Sequence, residues 1–135
     1  MNSKEAKEHL NRIRSLNIRI GIVESEYQEL KNQALKSPVG SGSGKNPSSW
    51  VEKLNILIVT KEKDLSKLKS RYIKERDKTV KEILALPNDL YVKILYKRYI
   101  EFKAFSDICD EIAMDYTYTC RLHGNALAMF AELHK

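Results

Sequence analysis

The sequence predicts an all-α protein in which a long N-terminal antiparallel helical hairpin, similar to a coiled coil, precedes a C-terminal unit of three shorter helices. Two observations predict this architecture. Apolar side chains recur at helical spacing through most of the 135 residues. Helix-breaking residues are concentrated in residues 37–49, which hold two of the three prolines and most of the glycines, and at Pro87. We therefore expect a helical assembly region over residues 1–86, with a flexible linker at 37–49, and a separate domain over residues 87–135.

The composition argues against several classes of protein. Hydrophobic residues make up 42% of the chain, but no run of about 18 apolar residues occurs, so we expect no membrane span. The first ten residues contain no apolar stretch of the kind found in a secretory signal, so we expect a cytoplasmic protein. Cys109 and Cys120 are the only cysteines and form no CxxC motif, so we expect neither a disulfide framework nor a zinc site.

The first predicted helix runs from about Ser3 to Lys36. Its apolar residues follow a heptad pattern for more than four heptads, and the a and d positions of such a pattern face a partner helix. Asn2 or Ser3 can cap its start, and Pro38 ends it because the residue before a proline disfavours the helical conformation. The a positions are Ala6, Ile13, Ile20, Tyr27 and Ala34, and the d positions are His9, Leu16, Val23 and Leu30.

The second predicted helix covers residues 49–85. One face carries an apolar stripe that Lys61 and Glu75 interrupt. Two helices of matching length joined by about a dozen residues most simply pack as an antiparallel hairpin. The stripe consists of Val51, Leu54, Ile58, Leu65, Leu68, Tyr72, Val80 and Ile83.

A hairpin of two helices leaves some apolar residues uncovered. Ile18, Ile22, Trp50 and Leu57 lie off the main stripes, which indicates a second contact, either with the C-terminal segment or with another copy of the chain. We expect a dimer, and the hairpin can close within one chain or be exchanged between two. The residues predicted to mediate oligomerisation are Ile13, Leu16, Ile20, Val23, Tyr27 and Leu30.

The C-terminal segment has the shorter rhythm of three packed helices. The first is predicted over residues 88–101 with Asn88 or Asp89 as its cap, and the second covers about ten residues from Phe105. A tight break at 113–116 precedes the last helix. The last helix is predicted to pack through Tyr118, Leu122, Ala126, Met129 and Leu133, and to present Thr117, Cys120, Arg121 and Gly124 on its opposite face.

This pattern is typical of a helix-turn-helix DNA reader, which needs a short helix, a turn of three or four residues and a second helix with an accessible outward face. A small residue such as Gly124 permits close approach to base edges, and Arg121 can donate a planar pair of hydrogen bonds to guanine. A helical bundle with a merely solvated polar face is the competing interpretation.

Two related groups of proteins resemble residues 86–130, LPNDLYVKILYKRYIEFKAFSDICDEIAMDYTYTCRLHGNALAMF. One is the promoter-reading helix-turn-helix at the C-terminus of bacterial sigma factors. The closer resemblance is to phage late-gene transcriptional regulators of the ArpU and RinA kind. Their N-terminal halves are also similar to the opening MNSKEAKEHLNRIRSLNIRI and to the long helix, break and second helix that follow. The resemblance therefore extends over essentially the whole chain.

Three blocks carry this resemblance. Residues 95–101, LYKRYIE, are similar to an LxxRYxE block, and residues 105–111, FSDICDE, are similar to an aromatic and acidic helix. Residues 116–127, YTYTCRLHGNAL, resemble the recognition helix and are the most specific block. The chain departs from the family pattern at Cys109 and Ala113 in the turn, at Asn125 where arginine is common, and at Thr117 where a basic or polar reader often stands.

The resemblance implies a sequence-specific regulator that binds double-stranded DNA and activates late genes of a phage or prophage. Its last helix would then enter the major groove. The candidates for contact with base edges are Tyr116, Thr117, Thr119, Cys120, Arg121, Gly124 and Asn125.

Positive charge is unevenly distributed along the chain. Residues 1–86 carry 18 basic and 11 acidic side chains, whereas residues 87–135 carry 6 basic and 7 acidic ones. The second long helix is therefore a candidate for the phosphate contacts that dominate nucleic-acid affinity, although a solvated face with salt bridges has the same composition. The phosphate-contact candidates are Lys67, Lys74, Lys78, Lys81, Lys103 and His123.

No constellation typical of an enzyme occurs in the sequence. The glycine-rich residues 40–45 lack the spacing of a phosphate-binding loop, and no nucleophile or carboxylate cluster is recognisable. We therefore expect no enzymatic activity, cofactor, metal or small-molecule ligand. The alternative to DNA binding is a protein-interaction module that contacts RNA polymerase or another regulator, and a third interpretation is a structural coiled-coil adaptor.

Overall fold

The computed structural model describes residues 1–36 and 47–135, which form five α-helices, one π-helical turn and no strand. The expected all-α class with a long N-terminal helix pair is confirmed. None of the helices in these residues is long and apolar enough to cross a membrane. The helices are α1 (Ser3–Lys36), α2 (Pro47–Leu84), α3 (Asp89–Leu95), α4 (Phe105–Glu111) and α5 (Tyr116–Leu133), and the π-helical turn Tyr96–Ile100 directly follows α3.

The two long helices begin and end close to the predicted positions. The Oδ1 atom of Asn2 accepts a hydrogen bond from the N–H of Glu5 at 2.8 Å, which caps α1 as expected. α2 begins at Pro47, two residues before its predicted start, because proline is well tolerated in the first turn of a helix. The predicted linker lies largely in residues 37–46, which are outside the described residues.

The described chain divides into two compact units. Unit 1 comprises Met1–Leu16 and Tyr72–Lys135, and unit 2 comprises Asn17–Arg71. The domain boundary expected after residue 86 therefore differs from the division in the structure. The reason is that Leu10 of α1 and Ile83 of α2 belong to the same hydrophobic core as Leu95 and Phe130.

Unit 1 is held together by two hydrophobic clusters and by polar contacts between its helices. The larger cluster centres on Leu10, Ile83 and Phe130, all fully buried, and the smaller one on Ile94, Ile108 and Leu122. His9 Nε2 lies 3.1 Å from the Glu82 carboxylate, and His134 Nε2 donates to the Glu82 carbonyl oxygen at 2.8 Å. Cys109 and Tyr99 are buried in this unit, and Tyr91 and Tyr96 are half-buried.

Unit 2 is an antiparallel helix pair with few buried side chains. Among its described residues only Leu54 and Leu65 are buried. Lys61, which interrupts the apolar stripe of α2, forms an ion pair with Glu26 of α1 at 2.6 Å, and Lys69 lies 3.7 Å from Glu24. The two helices are antiparallel, because Glu26 of α1 pairs with Lys61 of α2, whereas the earlier Glu24 pairs with the later Lys69.

The residues expected to mediate oligomerisation divide into two groups. Ile13 and Leu16 are buried within the single chain, so their assignment to an interface between chains is corrected. The side chains of Ile20, Val23, Tyr27 and Leu30 are half-buried. By contrast, the side chains expected to lie off the main stripes are exposed by 48–58%, namely Ile18, Ile22, Trp50 and Leu57.

Two of the shorter helices differ from the prediction. The helix expected over residues 88–101 is continuous only to Leu95, after which the backbone widens into the π-helical turn, where the N–H of Glu101 donates to the carbonyl oxygen of Tyr96 at 3.1 Å. Asn88 caps α3 as expected, because its Oδ1 atom accepts from the N–H groups of Leu90 and Tyr91. α4 covers seven residues rather than about ten.

Candidate functional site

The connection between α4 and α5 is a tight turn built from backbone hydrogen bonds. The N–H of Met114 donates to the carbonyl oxygen of Cys109 at 3.0 Å, and the N–H of Ala113 donates to that of Asp110 at 3.3 Å. This pair of bonds is the Schellman arrangement, which requires a left-handed residue just after the helix. Ala113 takes that role with a φ of 56°, a conformation that glycine adopts with less strain. The turn ends α4 and begins α5 at Tyr116 within a few residues.

One face of α5 is anchored in the core of unit 1. Its buried side chains follow helical spacing from Thr119 to Ala131, and Thr119, Ala126 and Phe130 are fully buried. The inward face predicted from the sequence is partly wrong, because Tyr118 and Leu133 are 45% and 48% exposed. The spacing of His123, Leu127 and Phe130 marks the correct face, but His123 was predicted from the sequence as a candidate for phosphate contact.

The opposite face of α5 contains most of the predicted base-edge candidates. Arg121 is exposed and has no hydrogen-bond or ion-pair partner among the described residues. Cys120 is half-buried at the edge of this face. The exposed candidates on or next to this face, which we call the α5 outer face, are Tyr116, Thr117, Arg121, Gly124 and Asn125.

Thr119 does not belong to the α5 outer face. Its side chain is fully buried, and its Oγ1 atom donates a hydrogen bond to the carbonyl oxygen of Asp115 at 2.9 Å. This bond satisfies the hydroxyl within the first turn of the helix, as serine and threonine hydroxyls often do. The assignment of Thr119 as a base-edge residue is therefore corrected.

His123, expected as a phosphate contact, is also buried. Its Nε2 atom lies 2.7 Å from the hydroxyl of Tyr99, and the ring of Phe105 approaches it edge-on with the ring centroids 4.8 Å apart. Burial, helped by the positive charges of Arg98 and Lys7, lowers the pKa of His123 from 6.5 to about 4. Burial also raises the pKa of Tyr99 to about 12. The hydroxyl therefore donates to a neutral imidazole, which carries no charge to neutralise a phosphate.

Lys103, another expected phosphate contact, is engaged by carboxylates. Its Nζ atom forms a close ion pair with Glu111 of α4 and lies 3.6 Å from Glu101. The hydrogen bond with Glu111 raises the pKa of Lys103 and lowers the pKa of Glu111. Lys97 joins the same cluster, 3.6 Å from Glu111. The positive charge at this end of α4 is thus matched by negative charge.

The remaining phosphate candidates lie on α2. Lys81 forms an ion pair with Asp77 at 3.0 Å, one turn away on the same helix. Lys67, Lys74 and Lys78 are exposed and have no ion-pair partner among the described residues. Lys67 belongs to unit 2, whereas the other three belong to unit 1.

Gly124 lies in the middle of α5, where glycine weakens a helix by roughly 1 kcal/mol relative to alanine. A Cβ atom added at this position would meet no heavy atom within 4 Å. Packing inside the protein therefore does not require a glycine here. The missing side chain instead leaves the middle of the α5 outer face open for the close approach of another molecule.

A groove of about 630 Å³ lies in unit 1 beside the end of α4. Leu90, Ile112 and Met114 supply apolar surface, and the carboxylate of Glu111 and the ammonium of Lys97 supply charge at the same groove. The described residues contain no group of three His, Cys, Asp or Glu side chains that could hold a metal ion.

No family model matches the chain, and neither the curated proteins nor the solved structures include one that is significantly similar to it.

Proposed function

We propose that this protein is a sequence-specific DNA-binding regulator of transcription in which α4, the four-residue turn and α5 act as a helix-turn-helix. In this proposal the α5 outer face enters the major groove, and the regulated genes are late phage or prophage genes, as the resemblance implies. The observation that carries the proposal is the division of α5. One face is anchored by fully buried side chains such as Thr119 and Phe130, and the opposite face is open around Gly124 beside a free Arg121.

The two faces of α5 suit the demands of groove binding. A recognition helix must be held rigidly, which the buried face does, and its outer residues must be free to hydrogen-bond with bases. A guanidinium that is not engaged within the protein can donate two parallel hydrogen bonds to the O6 and N7 atoms of guanine. Thr117 and Asn125 offer further hydroxyl and amide groups on the same face.

The first experiment selects the purified chain against a randomised DNA duplex library at moderate salt and then measures binding of the selected duplex. Arg121→Ala should reduce discrimination at one base pair by about 1–3 kcal/mol. Arg12→Ala is the matched control, because Arg12 is an exposed arginine of unit 1 on α1 and its loss removes the same charge. The proposal is rejected if no duplex is enriched, or if both variants change sequence preference equally.

A second pair of variants separates stability from recognition. Gly124→Ala and Gly21→Ala each add a methyl group that meets nothing within 4 Å, so each should stabilise the chain by roughly 0.5–1 kcal/mol. If α5 lies close to the base edges, only Gly124→Ala should also weaken binding to the selected duplex. Equal binding by both variants would contradict a close approach at Gly124.

The second candidate function is the protein-interaction module, which the charges around α4 favour. Asp107, Asp110 and Glu111 are exposed on this short helix, and Lys103 is already paired with a carboxylate. A protein partner such as RNA polymerase could bind the apolar side chains of the adjacent groove, Leu90, Ile112 and Met114, and such binding would involve no phosphate. Salt dependence separates the two functions, because phosphate contacts make the logarithm of affinity fall steeply with the logarithm of salt concentration, whereas apolar docking does not.

A further inference from the structure

Unit 2 has very few buried side chains for a pair of helices of this length. Both hydrophobic clusters of the described chain consist entirely of residues of unit 1. In unit 2, Leu54 and Leu65 are the only buried side chains among the described residues. A helix pair that buries one stripe on each helix is marginal by itself, whereas four helices enclose a core. The burial in unit 2 is therefore typical of one half of a four-helix bundle.

A groove of about 460 Å³ marks one side of this helix pair. Ser25, Glu26, Glu29 and Leu30 of α1 line it together with Leu57 and Lys61 of α2. The side of α1 that carries Ser25 and Glu29 and the side of α2 that carries Leu57 therefore lie on the same side of the helix pair. Leu57, which lies in its lining, is 48% exposed.

Exposed apolar residues extend this side of the helix pair in both directions. Ile22 and Ile18 lie three and seven residues before Ser25, which places them on the same face of α1. Trp50 lies seven residues before Leu57, which places it on the same face of α2. We call these four side chains the unit 2 apolar face: Ile18, Ile22, Trp50 and Leu57, which are 48–58% exposed.

The area of the unit 2 apolar face is in the range of one half of a protein interface. Large apolar side chains that are about half exposed leave on the order of 100 Å² each accessible, so the four together offer roughly 400 Å². A standard interface buries about 600–1,000 Å² per partner, of which nearly 60% is apolar, so it needs roughly 350–600 Å² of apolar surface.

The charges beside the groove indicate which kind of molecule could bind there. Glu26 and Lys61 neutralise each other as an ion pair at the groove, and Glu29 and Lys53 add one charge of each sign, so this surface has no excess positive charge to attract a nucleic acid or an anionic membrane. Lys53 lies one helical turn from Leu57, and a surface with balanced charges of both signs is suited to a copy of itself. Residues 37–46 cannot supply the cover by composition, because Val39 is their only apolar side chain apart from a proline.

We propose that the unit 2 apolar face binds the same face of a second copy of the chain, so that two helix pairs form a four-helix bundle around a two-fold axis. Leu30 and Leu57 at the groove become part of the shared core, and Ile18 and Ile22 extend it along α1. This dimer does not depend on DNA binding, and it uses exposed residues rather than the buried Ile13 and Leu16.

The test measures the mass of the full-length protein by sedimentation velocity, without DNA, from about 1 to about 100 µM. The expected mass is twice the 15.6 kDa of one chain. Trp50 is the only tryptophan, and its emission should shift to longer wavelength on dilution as the dimer dissociates. Ile22→Glu and Leu57→Glu should each raise the dissociation constant by about 100-fold or more, because every dimer would bury two new charges.

The matched control is Ile73→Glu, because Ile73 is 66% exposed on α2 but lies outside unit 2. It should leave the dimer intact. Far-ultraviolet circular dichroism checks that each variant keeps its helix content, and Ile22→Gln provides a milder change if a glutamate variant unfolds. A chain that stays monomeric up to about 100 µM would overturn the proposal and leave the face to a different protein. A dimer that resists all substitutions on the face, or that Ile73→Glu disrupts equally, would overturn it as well.

Discussion

The buried pair of Tyr99 and His123 predicts how the stability of unit 1 depends on pH. The pKa of His123 is about 4 in the folded protein, against 6.5 for an ordinary histidine. Between these two values the unfolded chain binds a proton that the folded chain does not bind. The free energy of unfolding therefore falls as the pH is lowered from 6.5 towards 4, and this contribution is fully present above pH 6.5.

The size of the effect follows from the pKa difference. One pKa unit corresponds to about 1.4 kcal/mol, so the shift from 6.5 to about 4 amounts to about 3 kcal/mol once the pH is below both values. Between pH 7 and pH 4.5 the linkage relation gives a loss of about 2 kcal/mol from His123 alone. His123 is only 8% exposed, so solvent screening does little to reduce this contribution.

The assay is urea unfolding followed by circular dichroism at several pH values from 7 to 4.5, for the parent chain and for His123→Gln. The glutamine keeps a polar side chain near Tyr99 but does not titrate, so its free energy of unfolding should fall by about 2 kcal/mol less over this range. Carboxylates and the other histidines contribute equally to both proteins and cancel in the comparison. A parallel loss of stability in the two proteins would contradict a lowered pKa at His123 in the folded chain.

Two further predictions concern the local geometry of unit 1. Ala113→Gly should stabilise the chain by roughly 0.5–1 kcal/mol, because Ala113 has a φ of 56°, which glycine adopts with less strain. As a control, Ala128→Gly in the exposed middle of α5 should destabilise the chain by roughly 1 kcal/mol. Thermal unfolding measures both changes, and a loss of stability in both variants would contradict the left-handed turn. Asn88→Ala should lower the free energy of unfolding by about 1 kcal/mol, because it removes the acceptor for two backbone N–H groups at the start of α3, and Asn88→Ser should restore most of it in urea unfolding. Equal stability of the alanine and serine variants would show that the cap does not contribute.

Local signals in the sequence were sufficient for most of the helix boundaries. Asn2 and Asn88 were recognisable as caps because a short polar side chain can bond to the backbone N–H groups two or three residues later, without help from the rest of the fold. The same holds for the exposure of Ile18 and Leu57, which depends on heptad position. The π-helical turn at Tyr96–Ile100 was missed because no residue type marks the change from an i→i−4 to an i→i−5 bond.

The candidate site was predictable as a stretch of chain but not in the orientation of its helix. Periodicity placed Tyr118 inside, and His123 was predicted as a phosphate contact, because an amphipathic pattern with several small residues is compatible with more than one orientation. His123 can be buried because its ring nitrogen forms a hydrogen bond with the hydroxyl of Tyr99. Tyr99 lies on a different element, so the pattern of α5 does not reveal this partner. Likewise, Lys103 has the charge of a typical phosphate contact, but the tertiary structure pairs that charge with the carboxylate of Glu111.

The sequence by itself determined that the chain is helical and where its long helices begin and end, because caps, helix breakers and heptad spacing act over a few neighbouring residues. Only the tertiary structure decided which side of α5 is buried and that residues 1–16 share a core with the C-terminal helices. These features depend on contacts between residues far apart in the chain, such as Leu10 with Phe130 in one cluster. Whether a side chain is buried depends on every element that packs around it, whereas the residue pattern of one helix describes that helix alone.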